Sequence, residues 1–519
     1  MHAASGFGYD LCMSRMKKIT LFMASLSPGF WIALGVLAVQ LPAVISGGFG
    51  MFRDEFYYIA CSDHLAWGFV DHPPLSIFIL RLLRLAFGDS LFALRLVPAL
   101  VAATLAWLSG RLAKEMGGSA FAQFLAALAC GVAPVYLAEG SFYSMNIFEP
   151  LCWMGCAWLL LRMIDSGRRQ LWVPFGLLAG LALLNKHSML FFGAAIVAGL
   201  LLTRERRLLA GKWPWIGGAI ASLFLLPNLI WLVRHDWATL EFMRNAQAWK
   251  NLPMSPLEFL KAQVLLQHPL TLPLWLAGLA ALFFHPQLKK YRSFGLAFVL
   301  LFILFVAQRG KPYYLSPFFP LLLAAGAVFV ERFASGRFGR GARGAYAALL
   351  LVGGLVMLPM WVPLLSVEAH IRYTRAIGME PPQMERGRKT ELHQVFADRF
   401  GWQEMVAVVA RAYDSLSPGE QAECAIYTQN YGEAGAVDHF GVRYGLPNAI
   451  SGHNNYWLWG PGERSGKVLI IIGGTREDHL KAYEEVTLFA VHNSRYAMPA
   501  ETDLPIWICR KPRVTLEQI

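Results

Sequence analysis

LWVPFGLLAGLALLNKHSMLFFGAAIVAGLLLT, residues 171–203, is the stretch on which the fold of this chain turns. It is apolar almost throughout, interrupted only by Asn185-Lys186-His187 near its middle. As one helix its 33 residues would rise about 50 Å, far more than the roughly 30 Å hydrocarbon core of a bilayer. A break at Asn185-Lys186-His187 resolves the excess. It makes two short spans and leaves a lysine at a membrane boundary.

The same reading along the chain gives eleven spans, at 28–47, 89–110, 119–138, 147–164, 171–185, 187–203, 214–233, 269–284, 293–308, 312–330 and 344–365. Composition agrees. Hydrophobic residues make up 56% and charged residues 15%, with mean hydropathy +0.43, too little charge to cover a water-soluble surface of this size. The net charge of +12 does not mark a nucleic-acid partner. It collects in short clusters between apolar runs, as at Arg204, Arg206, Arg207 and Lys212, the pattern of cytoplasmic loops under the positive-inside rule.

Placing those clusters inside fixes the expected organisation. Residues 1–27 form a cytoplasmic N-terminal segment whose Arg15, Lys17 and Lys18 precede an uncleaved first span, with Met13 and Met16 as alternative starts. Residues 28–365 form the membrane domain, with long outer loops at 48–88 and 234–268. An odd number of spans puts 366–519 outside the cytoplasm. There CAIYTQN (424–430), KVLIIIGG (467–474) and LPIWICR (504–510) read as strands, while 403–416 and 476–486 read as helices, so this region is α/β. The chain is therefore expected to be a polytopic α-helical membrane protein with a C-terminal α/β extracytoplasmic domain. The seven cysteines show no CxxC or zinc spacing, and Cys424 and Cys509, alone in the outer domain, are candidate disulfide partners.

Polar clusters gather on the predicted outer face: Arg53-Asp54-Glu55, Asp71-His72-Pro73-Pro74, Glu139 with Asn146 through Glu149, Asn185-Lys186-His187, and Gln308 through Tyr314. Ionisable groups near hydrocarbon are costly and mark a site or pair with one another. Asp54 and Glu55 are candidate catalytic acids, one able to take a proton from an acceptor hydroxyl. Together with His72 they are also a candidate divalent-metal set. Lys186, Arg309 and Lys311 are candidates for holding a leaving phosphate. Tyr313 suits a sugar face or the aromatic belt, and Arg95 suits an acid of the first loop.

The ordered set DEFYY (54–58), HPPL (72–75), ALRLVPAL (93–100), FEPL (148–151), GLLAGLALLNKHS (176–188) and KPYYLSPFFP (311–320) resembles the GT-C class of integral membrane glycosyltransferases. Within it the chain resembles family 39, which includes bacterial aminoarabinose transferases and protein mannosyltransferases. YGEAGAVDHFG (431–441) and LPNAISGHNNYWLWGP (446–461) resemble a tail found in a bacterial branch. The resemblance implies transfer of a sugar from a polyprenyl-phosphate carrier to a glycolipid, protein or glycan acceptor at the bacterial inner membrane, with the site on the periplasmic side. It makes Asp54 the catalytic acid, Glu55 its neighbour, Tyr58 the tyrosine of DExxY, and Lys186 the lysine after the fifth span. His72 departs from a lysine, Tyr57 from an arginine, and Glu149 from an aspartate. A transporter or lipid flippase and a non-catalytic envelope assembly protein are the alternatives. No WW pair occurs, which sets the chain apart from oligosaccharyltransferases.

Overall fold

The computed structural model describes residues 27–250, 254–334, 336–379, 381 and 390–518. The expected N-terminal segment lies outside the described residues apart from Ser27. An apolar backbone in lipid must satisfy its own peptide groups, so the apolar runs are helical. Each of the eleven expected windows falls on helix. Among the described residues seven helices are long and apolar enough to cross a membrane: Pro28–Ser46, Leu91–Glu115, Met145–Ser166, Trp213–Arg234, Lys289–Ala307, Pro312–Phe333 and Gly336–Met360. An eighth span results if Pro256–Leu266 and Pro269–Phe284, bent by 99°, count as one.

The remaining windows are short for physical reasons. The run 171–203 divides where expected, into Trp172–Asn185 and Met189–Leu201, each only about 20 Å long. Lys186 between them is extended, at φ −159° and ψ 132°. The third window divides into Ala120–Gly131 and Pro134–Glu139, with Pro134 at the first position of the new helix, where its missing N–H costs nothing. Leu223, Val233, Ile303 and Val352 stand exposed on the long helices, as lipid-facing side chains do. The chain is a multi-pass membrane protein.

The loop 48–88 is mostly helical. Arg53–Asp63 and Leu75–Phe87 form its two helices. The second is amphipathic. Ile77 and Leu80 are fully buried while Leu82, Leu85 and Phe87 are exposed, and Arg81 and Arg84 each pair with Asp63 at 2.8 Å.

In the C-terminal region five strands form one sheet: β1 Cys424–Thr428, β2 Ala449–Ser451, β3 Val468–Ile472, β4 Tyr483–His492 and β5 Leu504–Pro512. The order is β2-β1-β3-β5-β4. β2, β1 and β3 run parallel, and β5 and β4 join antiparallel. The expected helix 476–486 is corrected to a short helix, Arg476–His479, followed by β4. The Glu and Lys residues there suit a helix, but β5 offers an open edge. Glu484 and Glu485 then lie exposed on the outermost strand, where charge discourages further pairing. One apolar cluster joins Phe56, Ile59 and Leu80 of the loop to Val406, Ile426, Val437, Ile470 and Ile506 of this region.

Cys424 and Cys509 do not form the candidate disulfide. β3 separates them, with Cys424 opposite Val468 and Cys509 opposite Leu469. Two strand spacings are about 9.5 Å, beyond bridging reach. Both thiols are free and buried, and burial pushes each up to about 12. Both thiols should accept an alkylating reagent in denatured protein without prior reduction, read by mass spectrometry. A bridged peptide spanning the two positions would contradict the sheet order.

Candidate active site

Helix Arg53–Asp63 carries two adjacent acids in its first turn, where the helix dipole favours negative charge. Their surroundings differ. Glu55 is fully buried. Its carboxylate accepts from Phe52 N at 2.7 Å, from Tyr143 N at 3.0 Å, and from Arg95 Nη2 at 3.1 Å and Nε at 3.3 Å. Every oxygen position is engaged. Glu55, expected as a second catalytic acid and metal ligand, is paired here with Arg95, itself buried.

Asp54 is placed differently, with its side chain 32% exposed. Oδ1 accepts from Tyr431 Oη at 2.8 Å and lies 3.9 Å from Arg53 Nε. Oδ2 has no hydrogen-bond partner among the described residues. One oxygen is held and the other is open.

A second carboxylate accompanies it. Asp71 accepts from Tyr57 Oη at 3.1 Å and lies 3.8 Å from His72 Nε2. Burial raises the Asp71 carboxyl from its ordinary range, and His72 opposes that rise. His72 is fully enclosed, its ring 4.8 Å from that of Tyr58 and 5.0 Å from that of Phe69. The Pro73 carbonyl takes its Nδ1–H at 3.0 Å. Sequence reasoning selected His72 as the supporting residue. The DHPP run also placed a carboxylate one residue earlier, and Asp71 is the one that faces the acid helix.

Lys186, in the break between its two short helices, reaches Glu149 Oε2 at 2.6 Å and Asn146 Oδ1 at 2.9 Å. Its ammonium lies 5.4 Å from the Tyr313 ring and 5.0 Å from that of Tyr314, within cation–π range. The other Glu149 oxygen accepts from Ser188 Oγ. Asn185 secures the break by donating to Met145 O at 2.9 Å. Arg309 is not brought to this group. It is exposed at φ 52°, on the turn after Arg292–Ala307. Lys311 is half-buried beside the turn Pro312–Phe318 that carries both tyrosines.

The acidic and lysine groups meet through one short segment. Tyr58 Oη accepts from Met145 N at 3.2 Å, and Tyr143 N donates to Glu55. Asn146, one residue on, holds Lys186. Among the described residues no three His, Cys, Asp or Glu side chains converge as a metal set. Of the expected set Asp54, Glu55 and His72, Glu55 and His72 lie in separate buried environments, Glu55 on Arg95 and His72 between Tyr58 and Phe69.

Comparison with known proteins places this geometry. The family described as dolichyl-phosphate-mannose-protein mannosyltransferase matches residues 71–231. The chain is similar to the crystal structure of ArnT from Cupriavidus metallidurans in the apo state. That likeness has a TM-score of 0.61 at 14% identity, over 95% of this chain and 98% of that one. The chain shares that fold. The undecaprenyl phosphate-bound form of the same ArnT matches with TM-score 0.57 and 16% identity, over 92% of this chain and 98% of that one. In sequence, this chain is 27% identical over 240 residues to the lipid A galacturonosyltransferase RgtD of Rhizobium johnstonii. The match spans 45% of this chain and half the length of that relative.

The Glu55–Arg95 pair gives a stability test. Removing one member of a buried ion pair costs about 3–5 kcal/mol. Glu55→Ala should lower the thermal midpoint in detergent and reduce the monodisperse fraction. A wild-type midpoint would show that the pair does not hold the loop.

Proposed function

We propose that this chain is a glycosyltransferase that moves a sugar from a polyprenyl-phosphate carrier to the hydroxyl of an extracytoplasmic acceptor, with Asp54 as general base. The observation that carries the reading is the state of Asp54. One oxygen is fixed by Tyr431 and the other is open, on a partly exposed side chain. In the reaction, the open oxygen takes the acceptor hydroxyl proton. The hydroxyl oxygen forms a bond to the anomeric carbon, and the bond from that carbon to the phosphate oxygen breaks. Polyprenyl phosphate leaves with the electron pair. Lys186, kept charged and oriented by Glu149 and Asn146, faces the leaving phosphate, with Tyr313 and Tyr314 beside it. Lys311, beside the turn that carries both tyrosines, adds positive charge next to them.

Support for the donor comes from the undecaprenyl phosphate bound to the ArnT of like fold, and from the mannosyl-phosphate family matching the region of Asp71, Glu149 and Lys186. The acceptor class favoured is a glycolipid, after the lipid A galacturonosyltransferase relative. The location follows from the basic loops. With these inside, the membrane domain 28–365 lies in a bacterial inner membrane, and loop 48–88 and residues 366–519 lie on the periplasmic side.

Asp54→Asn keeps the side chain's size and removes the basic oxygen. Sugar transfer in membranes should fall by roughly 10²–10⁴, with monodispersity and donor binding retained. Near-normal transfer would take Asp54 out of the chemistry. Lys186→Gln should weaken capture of undecaprenyl phosphate itself by about 10-fold or more, the loss expected of a charge-assisted contact. Undiminished capture by a folded variant would assign Lys186 to the Glu149 pairing alone.

A further inference from the structure

Among the described residues the region after residue 366 contributes no candidate membrane span, yet it reaches the acid of the proposed site. Tyr431 is the first residue of helix Tyr431–Gly441 and is 7% exposed. Its hydroxyl donates to Asp54 Oδ1 at 2.8 Å. We propose that Tyr431 is a positioning residue, by which the C-terminal region orients Asp54 for proton transfer. The proposal rests on the glycosyltransferase reading above and assigns that region a part in it.

The contact is built from both sides. Asn430 caps the helix, its Oδ1 accepting from Gly432 N at 2.9 Å and Glu433 N at 3.1 Å. That cap fixes the residue bearing the hydroxyl. The Tyr431 ring packs 4.8 Å from Tyr57 and 5.0 Å from His453, with the Arg53 guanidinium 5.8 Å above it. The helix lies against Arg53–Asp63 at very short range. A Cβ on Gly432 would stand 2.4 Å from Arg53 Cγ, and one on Gly435 would stand 2.8 Å from Phe56 Cβ. Only glycine permits that approach, and the approach brings the hydroxyl to Asp54. A second tie lies alongside. Asn455 Oδ1 accepts from Val70 N at 2.7 Å and lies 3.0 Å from Tyr57 Oη, steadying the segment that carries Asp71.

The chemistry favours positioning over covering. A phenol donating to Oδ1 fixes the plane of the carboxylate and leaves Oδ2 to receive the proton. The groups around Asp54 are Arg53, 3.9 Å away, the Tyr431 hydroxyl, and Asp71 and Tyr58, both within electrostatic reach. Of these, Tyr431 alone comes from the C-terminal region.

Tyr431→Phe in the full chain removes the hydroxyl and keeps the ring. A hydrogen bond to a charged group is worth about 10- to 100-fold, so kcat for sugar transfer should fall by about that factor. Acceptor KM and undecaprenyl phosphate binding should stay near wild type. In an Asp54→Asn background the same change should cost nothing further. If Tyr431→Phe is not monodisperse, Gly435→Ala carries the test, with the same fall in kcat expected from a displaced helix. An active wild type whose variant keeps its rate overturns the positioning role alone. An equal loss in the Asp54→Asn background does so too. A folded wild type that transfers no sugar overturns the glycosyltransferase reading, and the positioning role with it.

Discussion

A charged pair buried where a membrane helix meets its first loop sets the geometry of everything around it. Arg95 projects from Leu91–Glu115 and donates to Glu55 and to the carbonyls of Gly47, Gly48 and Gly50. Those carbonyls belong to the turn leaving the first helix, and Glu55 in turn holds Phe52 and Tyr143. Four stretches of chain thus converge on one ion pair. Arg399 of the C-terminal region adds a fifth, donating to Gly48 O at 3.0 Å and Ser141 Oγ at 2.8 Å. Such a pair gains little net energy over an apolar packing, but either member left alone is heavily penalised. Its effect is to specify one arrangement of segments that apolar contacts would join in several ways. Asp54 inherits its direction from that arrangement, because the residue beside it cannot turn.

The lysine is presented by a different constraint. An extended residue between two helices exposes peptide groups, which in lipid must find partners. Lys186 N donates to Ala182 O at 2.8 Å and Leu190 N to His187 O at 2.9 Å, while the Asn185 side chain ties the break to Met145 O and Glu149 and Asn146 hold the Lys186 ammonium. A cation that would otherwise be drawn to the nearest water is held at the end of two short helices. The mismatch between 33 apolar residues and the bilayer thickness thus becomes a structural device. It creates the break, and the break places the charge.

Much of this was legible because membrane physics writes itself into sequence. The apolar windows and the break at Asn185-Lys186-His187 follow from hydrophobic period and length, and the structure has helices in those windows and the break between them. Asp54 and Lys186 stood out as charges at span ends. What sequence could not separate was two acids side by side. Asp54 and Glu55 occupy the same motif and the same helical turn, and only the partners Arg95 and Tyr143, 40 and 88 residues away, make one structural and leave the other open. Tyr431 lay beyond reach for the same reason, at 377 residues from Asp54. Arg309 and Lys311 illustrate the converse. Adjacent charges in a loop read as one patch, yet a backbone turn at φ 52° leaves Arg309 exposed while the tyrosines after it turn inward. β4 was missed because an open sheet edge overrode a local preference for helix.

The separation of acid and cation onto different elements has a consequence for how the site behaves. Asp54 belongs to a loop helix held by Arg95 and by the C-terminal region, whereas Lys186 belongs to the membrane helices. Tyr58 accepting from Met145 N is a direct tie between the two groups, and Met145 is the residue whose carbonyl secures Asn185. Met145 thus receives the acid helix on its N–H and the lysine break on its carbonyl. Two residues earlier, Tyr143 N adds a second bond to the acid helix through Glu55. On the other side of the break, His187 meets Asn228, which donates to Trp67 O of the loop. The apolar cluster shared by the loop and the C-terminal region packs on the acid side of these ties. Several polar contacts between residues far apart in sequence therefore join the two groups, and the C-terminal region acts on the acid alone.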